Sequence, residues 1–266
     1  MRIMSFNANG LRAAARKGFF EWFMQQNVDI LCVQETKAQT HQLLHEMLCP
    51  SGYFPYFRDA TCKKGYSGVA IYSKQKPHTI TDALGWPDFD EEGRFLAADF
   101  DAFRVVSMYL PSGSANPSRQ IFKFQVMQWL QPILKDWLHS GRNHILCGDW
   151  NIVRSKLDIR NWSANQKNSG CLPAEREWIN ALCADEASLA DIPSGKGWVD
   201  TFRVCHPHLE QYSWWSARGT ARQKNVGWRI DYQLATPKLR HALEQSVIFH
   251  DVHFSDHAPY AVDYML

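Results

Sequence analysis

No C-x-x-C pair occurs in this chain, and its seven cysteines, at positions 32, 49, 62, 147, 171, 183 and 205, are scattered and odd in number. That argues against a disulfide framework or a zinc knuckle and fits inert thiols in a reducing compartment. No segment approaches the roughly 18 consecutive apolar residues of a spanning helix. The start, MRIMSFNANG, carries no apolar run suited to a signal peptide. The expectation is a soluble, cytoplasmic protein with no membrane partner. Also missing are G-x-G-x-x-G, a P-loop, a G-x-S-x-G elbow and H-E-x-x-H, so the common nucleotide-binding, serine-hydrolase and zinc-protease signatures drop out. No Pro/Gly/Ser-rich linker divides the 266 residues, which predicts one domain over 1–266.

What is present supports a large core: hydrophobic content is 45% and aromatic content 13%. The net charge of +2 is small, but it is unevenly spread. Residues 213–229, SWWSARGTARQKNVGWR, carry Arg218, Arg222, Lys224 and Arg229 and no acid. Residues 151–170 set Arg154, Lys156, Arg160 and Lys167 against Asp158 alone, and Arg12, Arg16 and Lys17 follow Gly10. Any one segment reads equally well as a solvated loop. Three together, one with interleaved Trp, suit a face for a polyanion.

Periodicity predicts strands at MRIMSFN, VDILCVQE, GVAIYS, RFLAADF, FRVVSMYL, NHILCGD, WRIDYQLA and YAVDYML. RFLAADF and FRVVSMYL, separated by the turn-like DA, read as an antiparallel hairpin. Helices are expected over LRAAARKGFFEWFMQQ, from about Pro117 to Leu138, and over PAEREWINALCA, which proline opens. Strands interleave with helices in both halves. The fold class is therefore α/β, with hairpins beside βα crossovers suggesting a sandwich of sheets with outer helices.

The chemistry lies in a positional habit. Asn7, Glu35, Tyr109, Asp149 with Asn151, Asp231, and Asp256 with His257 all fall at or just past predicted strand ends, where a sheet holds functional groups rigidly. Each alone is more often a turn former or helix cap; the joint set resists that explanation. An oxygen-rich set without thiolates suits Mg²⁺ or Mn²⁺. Asp, His, Asn and Tyr supply the base, the orienting groups and the donors that phosphodiester hydrolysis requires. His41 and His45 stand four apart on an expected helix; with no nearby acid they read as a solvated face rather than a zinc pair.

NANGLR, QETK, GYSGVAIYSK, YLPSG, GDWN, NVGWRIDY and SDHAP, in that order from Asn7 to Pro259, resemble the motifs of the exonuclease III family of abasic-site endonucleases. That family belongs to the endonuclease/exonuclease/phosphatase superfamily. GDWN and SDH recur across the superfamily's phosphoesterases; KNVGWRIDY and NQKNSG are more specific to the DNA-repair branch. The resemblance implies a DNase I-like four-layered α/β sandwich, two mixed β-sheets flanked by helices, with the site at one rim. It implies Glu35 as principal Mg²⁺ ligand, with Asn7 and Asp256 nearby and Asn9, Asp149, Asn151 and His257 as further candidates. Asp149 would activate water or protonate the leaving oxygen, and Asn151 would orient it. His257, held by Asp231, would touch the scissile phosphate, and Tyr109 would donate to it. Trp214, Trp228 and Ile230 would wall a pocket for a flipped-out abasic sugar, an extrusion that costs little pairing energy. Arg12, Gly65, Tyr66, Asn165, Asn168, Arg218 and Lys224 would grip the backbone.

The chain departs from the family pattern in places. Ser112-Gly113 stands where relatives carry a phosphate-contacting Asn or Gln, so a contact from Ser112 is shorter-reaching. Asn9 replaces an aspartate found in some members, and no regulatory extension is expected before the first strand. The implied activity is Mg²⁺-dependent incision of double-stranded DNA 5′ to abasic sites, with processing of blocked 3′ ends, by a monomer. Two other readings are a nonspecific nuclease or inositol or lipid phosphatase, and a DNA-binding module without catalysis. The broad basic Trp-bearing segment disfavours a small substrate. The carboxylates disfavour a pure DNA binder, which gains nothing from acids facing phosphate.

Overall fold

A computed structural model of the chain describes residues 1–183 and 197–266. The strands among them are β1 (Arg2–Asn7), β2 (Ile30–Gln34), β3 (Phe54–Arg58), β4 (Val69–Ser73), β5 (Thr79–Thr81), β6 (Phe95–Asp99) and β7 (Phe103–Tyr109), followed by β8 (Asn143–Asp149), β9 (Val199–Asp200), β10 (Trp214–Trp215), β11 (Gly227–Trp228), β12 (Asp231–Ala235), β13 (Leu243–Ile248) and β14 (Tyr260–Tyr264). One six-stranded sheet runs β13-β14-β1-β2-β4-β3 and the other β5-β6-β7-β8-β12-β9; β10 and β11 form a separate ribbon. Each large sheet is mixed, with one parallel pair at its centre: β1 with β2, and β7 with β8.

Alternation along the strands builds four layers. In β2 all five residues are buried. Ile30 and Cys32 face Ile145, Cys147 and Val105 between the sheets, while Leu31 and Val33 pack outward with Phe19, Phe20 and Phe23. On the far side, Val106, Met108, Leu146 and Leu234 meet Val126, Leu130, Leu134 and Ile179 of the outer helices. A strand covered on both faces reads as an unbroken apolar run, which VDILCVQE and NHILCGD are. The layer between the sheets is not wholly dry of polarity. Gln34 donates to Ser107 Oγ at 3.0 Å and Gln233 to the Ile3 carbonyl at 3.0 Å, tying one sheet to the other.

The long helix Pro117–His139 forms as expected: the Asn116 side chain accepts from the Arg119 amide, and Pro117 opens the first turn. The expected 95–109 hairpin is present as β6 and β7. PAEREWINALCA becomes the helix Pro173–Leu182; Ala184 lies outside the described residues. Two expectations are corrected. LRAAARKGFFEWFMQQ is two short helices, Leu11–Arg16 and Phe19–Met24, because Gly18 takes a left-handed φ of 85° between them. WRIDYQLA is likewise split, with Arg229 and Ile230 separating β11 from β12. Among the described residues no helix is long and apolar enough to cross a membrane.

Candidate active site

The two central parallel pairs end at the same rim. Asn7 closes β1 in register with Gln34, so Glu35 emerges beside it. Tyr109 and Asp149 are register partners at the ends of β7 and β8, and Asp231 opens β12 opposite Asp149. His257 precedes β14 and bridges Trp214 of β10. Topology alone therefore gathers carboxylates, carboxamides, a phenol and an imidazole from both sheets.

Local backbone geometry sharpens this convergence. Asn9, Glu35, Lys37 and Asn151 have φ of 43°, 52°, 47° and 53°. Left-handed backbone costs L-residues of order 1–2 kcal/mol each and persists where surroundings over-determine it. At Glu35 the surroundings are backbone bonds from Gly10 to its carbonyl and from Lys37 to the Ser67 carbonyl.

Side-chain bonds complete the frame. Asn7 Nδ2 donates to Glu35 Oε1 and to Asp149 Oδ2, each at 2.9 Å. The Asn151 amide donates to Asp149 Oδ1 at 2.8 Å, and its side chain donates to the Leu110 carbonyl. His257 Nδ1 lies 2.8 Å from Asp231 Oδ2, and its Nε2 lies 3.8 Å from Asp149 Oδ2. Ser213 Oγ donates to Asp231 Oδ2 at 2.6 Å and accepts from the Asp231 amide. Asp256 accepts from Asn9 Nδ2 at 2.9 Å, from Ser255 Oγ, and from Trp214 Nε1 at 3.1 Å.

Asp149, Asp231 and His257 are each at most 4% exposed, so their charges interact with little screening. Burial raises Asp149 to about 8; Asp231 and Glu35 push the same way and His257 opposes. Burial works against the charged form of His257, but Asp231 and Asp149 outweigh it and lift the ring to about 10. Burial similarly opposes ionisation of Asp256, yet His257 and its three hydrogen bonds hold it below the ordinary carboxylate range. Burial, aided by Glu35, keeps the Tyr109 phenol protonated well above its usual range. The Arg94 guanidinium stacks 4.5 Å above the Tyr109 ring.

Ligand atoms of Glu35, Asp149 and His257 lie within 4.8 Å of one another. This cluster can hold a metal ion. Its oxygen-rich, thiolate-free donors fit a hard cation. Lys37, the last residue of the QETK motif and one whose role local sequence does not reveal, pairs with Glu35 Oε2 at 2.7 Å and also donates to Asn9 Oδ1. Asp256 stands on the Asn9 side, outside the three-residue group, though it faces the same cleft.

The cleft encloses about 950 Å³ and includes Ser112, Asn168, Trp214, Arg218, Trp228 and Ile230 in its lining. Trp228 is half-buried, packed 5.9 Å from Trp214, with a face left to the cleft. Arg12, Gly65, Tyr66, Asn165 and Lys224 do not line it. Arg12, Gly65 and Lys224 are exposed elsewhere, Asn165 is bonded to Asn161 and Asn168, and the Tyr66 hydroxyl sits among Arg94, Arg119 and Glu92. Ser112 Oγ bonds Ser114 Oγ at 2.8 Å. His41 and His45 are not on one helix: Thr40–Gln42 is a 3-10 turn, and extended Leu43 interrupts it before His45–Leu48.

The basic face needs correction too. Arg229 is wholly buried between Asp158 and Asp200, Arg154 also pairs with Asp200, and Arg222 donates to carbonyls of Ser255 and Val252. Charge counting along a segment does not distinguish such internal pairs from a surface. Lys167 and Arg218 remain in the cleft lining.

Residues 4–257 match the model of the Endonuclease/Exonuclease/phosphatase family. The chain is 38% identical over 263 residues to an exodeoxyribonuclease of Bacillus subtilis, covering 97% of each. It is 32% identical to a DNA-(apurinic or apyrimidinic site) endonuclease of Dictyostelium discoideum, covering 98% of this chain and 70% of that one. Its fold superposes with a TM-score of 0.86, at 25% identity and with full coverage of both chains, on a Neisseria 3′ phosphatase bound to a product DNA hairpin.

Proposed function

This chain belongs to the Endonuclease/Exonuclease/phosphatase family, and from that premise we propose that it is a Mg²⁺-dependent DNA phosphodiesterase of base-excision repair. It hydrolyses the backbone 5′ to abasic sites in duplex DNA and processes blocked 3′ ends. The observation that carries this reading is the join of two things at one rim. The Glu35–Asp149–His257 cluster opens into a cleft walled by Trp214, Trp228 and Ile230, with Lys167 and Arg218 beside it. A small phosphate ester would need the first and not the second. We further propose one domain over 1–266, acting as a cytoplasmic monomer.

Glu35 would hold the ion, with Asn7 and Asp256 in support and Asn9, Asp149, Asn151 and His257 as neighbours; when bound, Mg²⁺ supplies Lewis-acid stabilisation of charge on phosphate oxygens. His257 keeps its proton across the neutral range, so it serves as a donor to the scissile phosphate rather than as the first base. In its ionised form Asp149 is the proton acceptor for the attacking water, and Asn151 orients that water. With its pKa raised to about 8, Asp149 is largely protonated at neutral pH in the metal-free protein, and a bound cation would favour the ionised form that accepts the proton. Tyr109, also protonated, donates to a phosphate oxygen. Asn168, Arg218 and Ser112 contact the backbone from the cleft. Arg12, Gly65, Tyr66, Asn165 and Lys224 lie outside the cleft and would meet DNA only further along the duplex.

The test is incubation with a labelled duplex carrying one abasic analogue, in Mg²⁺ or in EDTA. The reading predicts metal-dependent incision immediately 5′ to the analogue, leaving a 3′ hydroxyl. An intact strand, or random nicking, contradicts it.

A further inference from the structure

Two buried charges lie behind the site and take no part in the steps above. Lys123, on the helix Pro117–His139, and Glu175, in the first turn of Pro173–Leu182, are both 0% exposed and pair at 2.6 Å. A buried ion pair is weak grounds for stability, because desolvation offsets much of the attraction and apolar replacements are often as stable. What this pair holds is position.

The Lys123 ammonium donates to the backbone carbonyl of Asn151 at 2.8 Å. Asn151 is the left-handed residue whose amide grips Asp149. Glu175 accepts from the Gly170 amide at 2.6 Å, the Leu172 amide at 3.0 Å and Gln120 Nε2 at 3.1 Å. Gly170 has a φ of 90°, and a Cβ there would fall 2.9 Å from the Asn151 carbonyl oxygen and 3.0 Å from Trp228 Cζ3. The Asn151 turn, the Gly170 loop and the Trp228 ring thus meet at one point, and one ion pair fastens it. Burial lowers the Lys123 pKa, with Glu175 opposing, so the pair depends on both partners.

We propose that Lys123 and Glu175 are positioning residues that lock the Asp149–Asn151 turn to the Trp228 wall, so that turnover and recognition of the abasic nucleotide are set together. The inference rests on the function proposed above.

Glu175→Gln retains an acceptor for the Gly170 and Leu172 amides but removes the charge facing Lys123. Adding Lys123→Met keeps the volume of the stem. For both variants the readouts are melting temperature, kcat and KM on the abasic duplex, and the ratio of abasic to intact cleavage. A further readout is the fluorine resonance of Trp228 in 5-fluorotryptophan protein, assigned with Trp228→Phe. We expect kcat to fall roughly 10–100-fold with KM little changed, the ratio to drop, and the Trp228 resonance to shift or broaden. Unchanged kcat, ratio and resonance in a folded variant overturn the proposal, whatever the melting temperature does, because the pair would then serve stability alone. If the double variant does not fold, Glu175→Gln decides by the same criteria. If the parent protein leaves abasic duplex intact, the function reading fails separately and the fluorine signal decides: an unmoved Trp228 resonance overturns the positioning role.

Discussion

Asp231 and His257 stand 26 residues apart in the chain, yet Asp231 Oδ2 lies 2.8 Å from His257 Nδ1. The carboxylate fixes the ring's orientation, leaves Nε2 toward Asp149, and lifts the imidazole to about 10. Asp231→Asn keeps the shape and removes the charge. Turnover is expected to fall by about 10²–10⁴-fold, with the alkaline limb of the pH–rate profile moving to lower pH as the ring loses its proton earlier. A profile of unchanged shape would remove Asp231 from this role.

The same groups set how stability changes with pH. His257 is raised above its unfolded value, so its contribution is complete below about 6.5 and is lost as pH climbs toward about 10. Asp149, raised to about 8, acts in the same sense between the ordinary carboxylate range and pH 8. Asp256 is lowered and acts oppositely, its contribution being lost as pH falls below the ordinary carboxylate range. In EDTA, the melting temperature should decline from neutral pH toward pH 10, and His257→Gln should flatten most of that decline. An equal slope in both proteins would contradict the assignment.

Glu35→Gln should fold normally, because the residue sits at the rim with only partial burial, and should bind Mg²⁺ far more weakly. Activity should return partly at high Mn²⁺. Titration calorimetry showing unchanged Mg²⁺ affinity would take Glu35 out of the ligand set.

Trp228→Ala separates pocket from core. A fully buried large aromatic costs about 3–5 kcal/mol on truncation to alanine; half-buried Trp228 should cost less, while the ratio of abasic to intact cleavage collapses. A large loss of melting temperature with an unchanged ratio would return Trp228 to the core.

Much of this was readable in the chain because strands buried on both faces announce themselves. VDILCVQE and NHILCGD end in the acids that their sheet delivers to the rim, so Glu35 and Asp149 could be placed from pattern alone. The edge strands were not legible: β3 contains Pro55, and β13 runs through exposed Glu244 and Gln245, so neither shows a clean period. Gly18, Arg229, Lys123 and Glu175 escaped for another reason. Whether a glycine breaks a helix, or a charge is buried with a partner far along the chain, depends on tertiary neighbours that local spacing does not encode. Ser213, which orients Asp231 from 18 residues away, gives no signal in sequence at all.

The central claim is that this cleft is shaped for an abasic nucleotide in duplex DNA. Its most direct test is kcat/KM in Mg²⁺ on three substrates: a duplex with one abasic analogue, the same duplex intact, and an inositol phosphate. The account predicts efficient cutting of the first at a single position, with the second and third slower by orders of magnitude. Comparable values for abasic and intact DNA, or preference for the inositol phosphate, would contradict it.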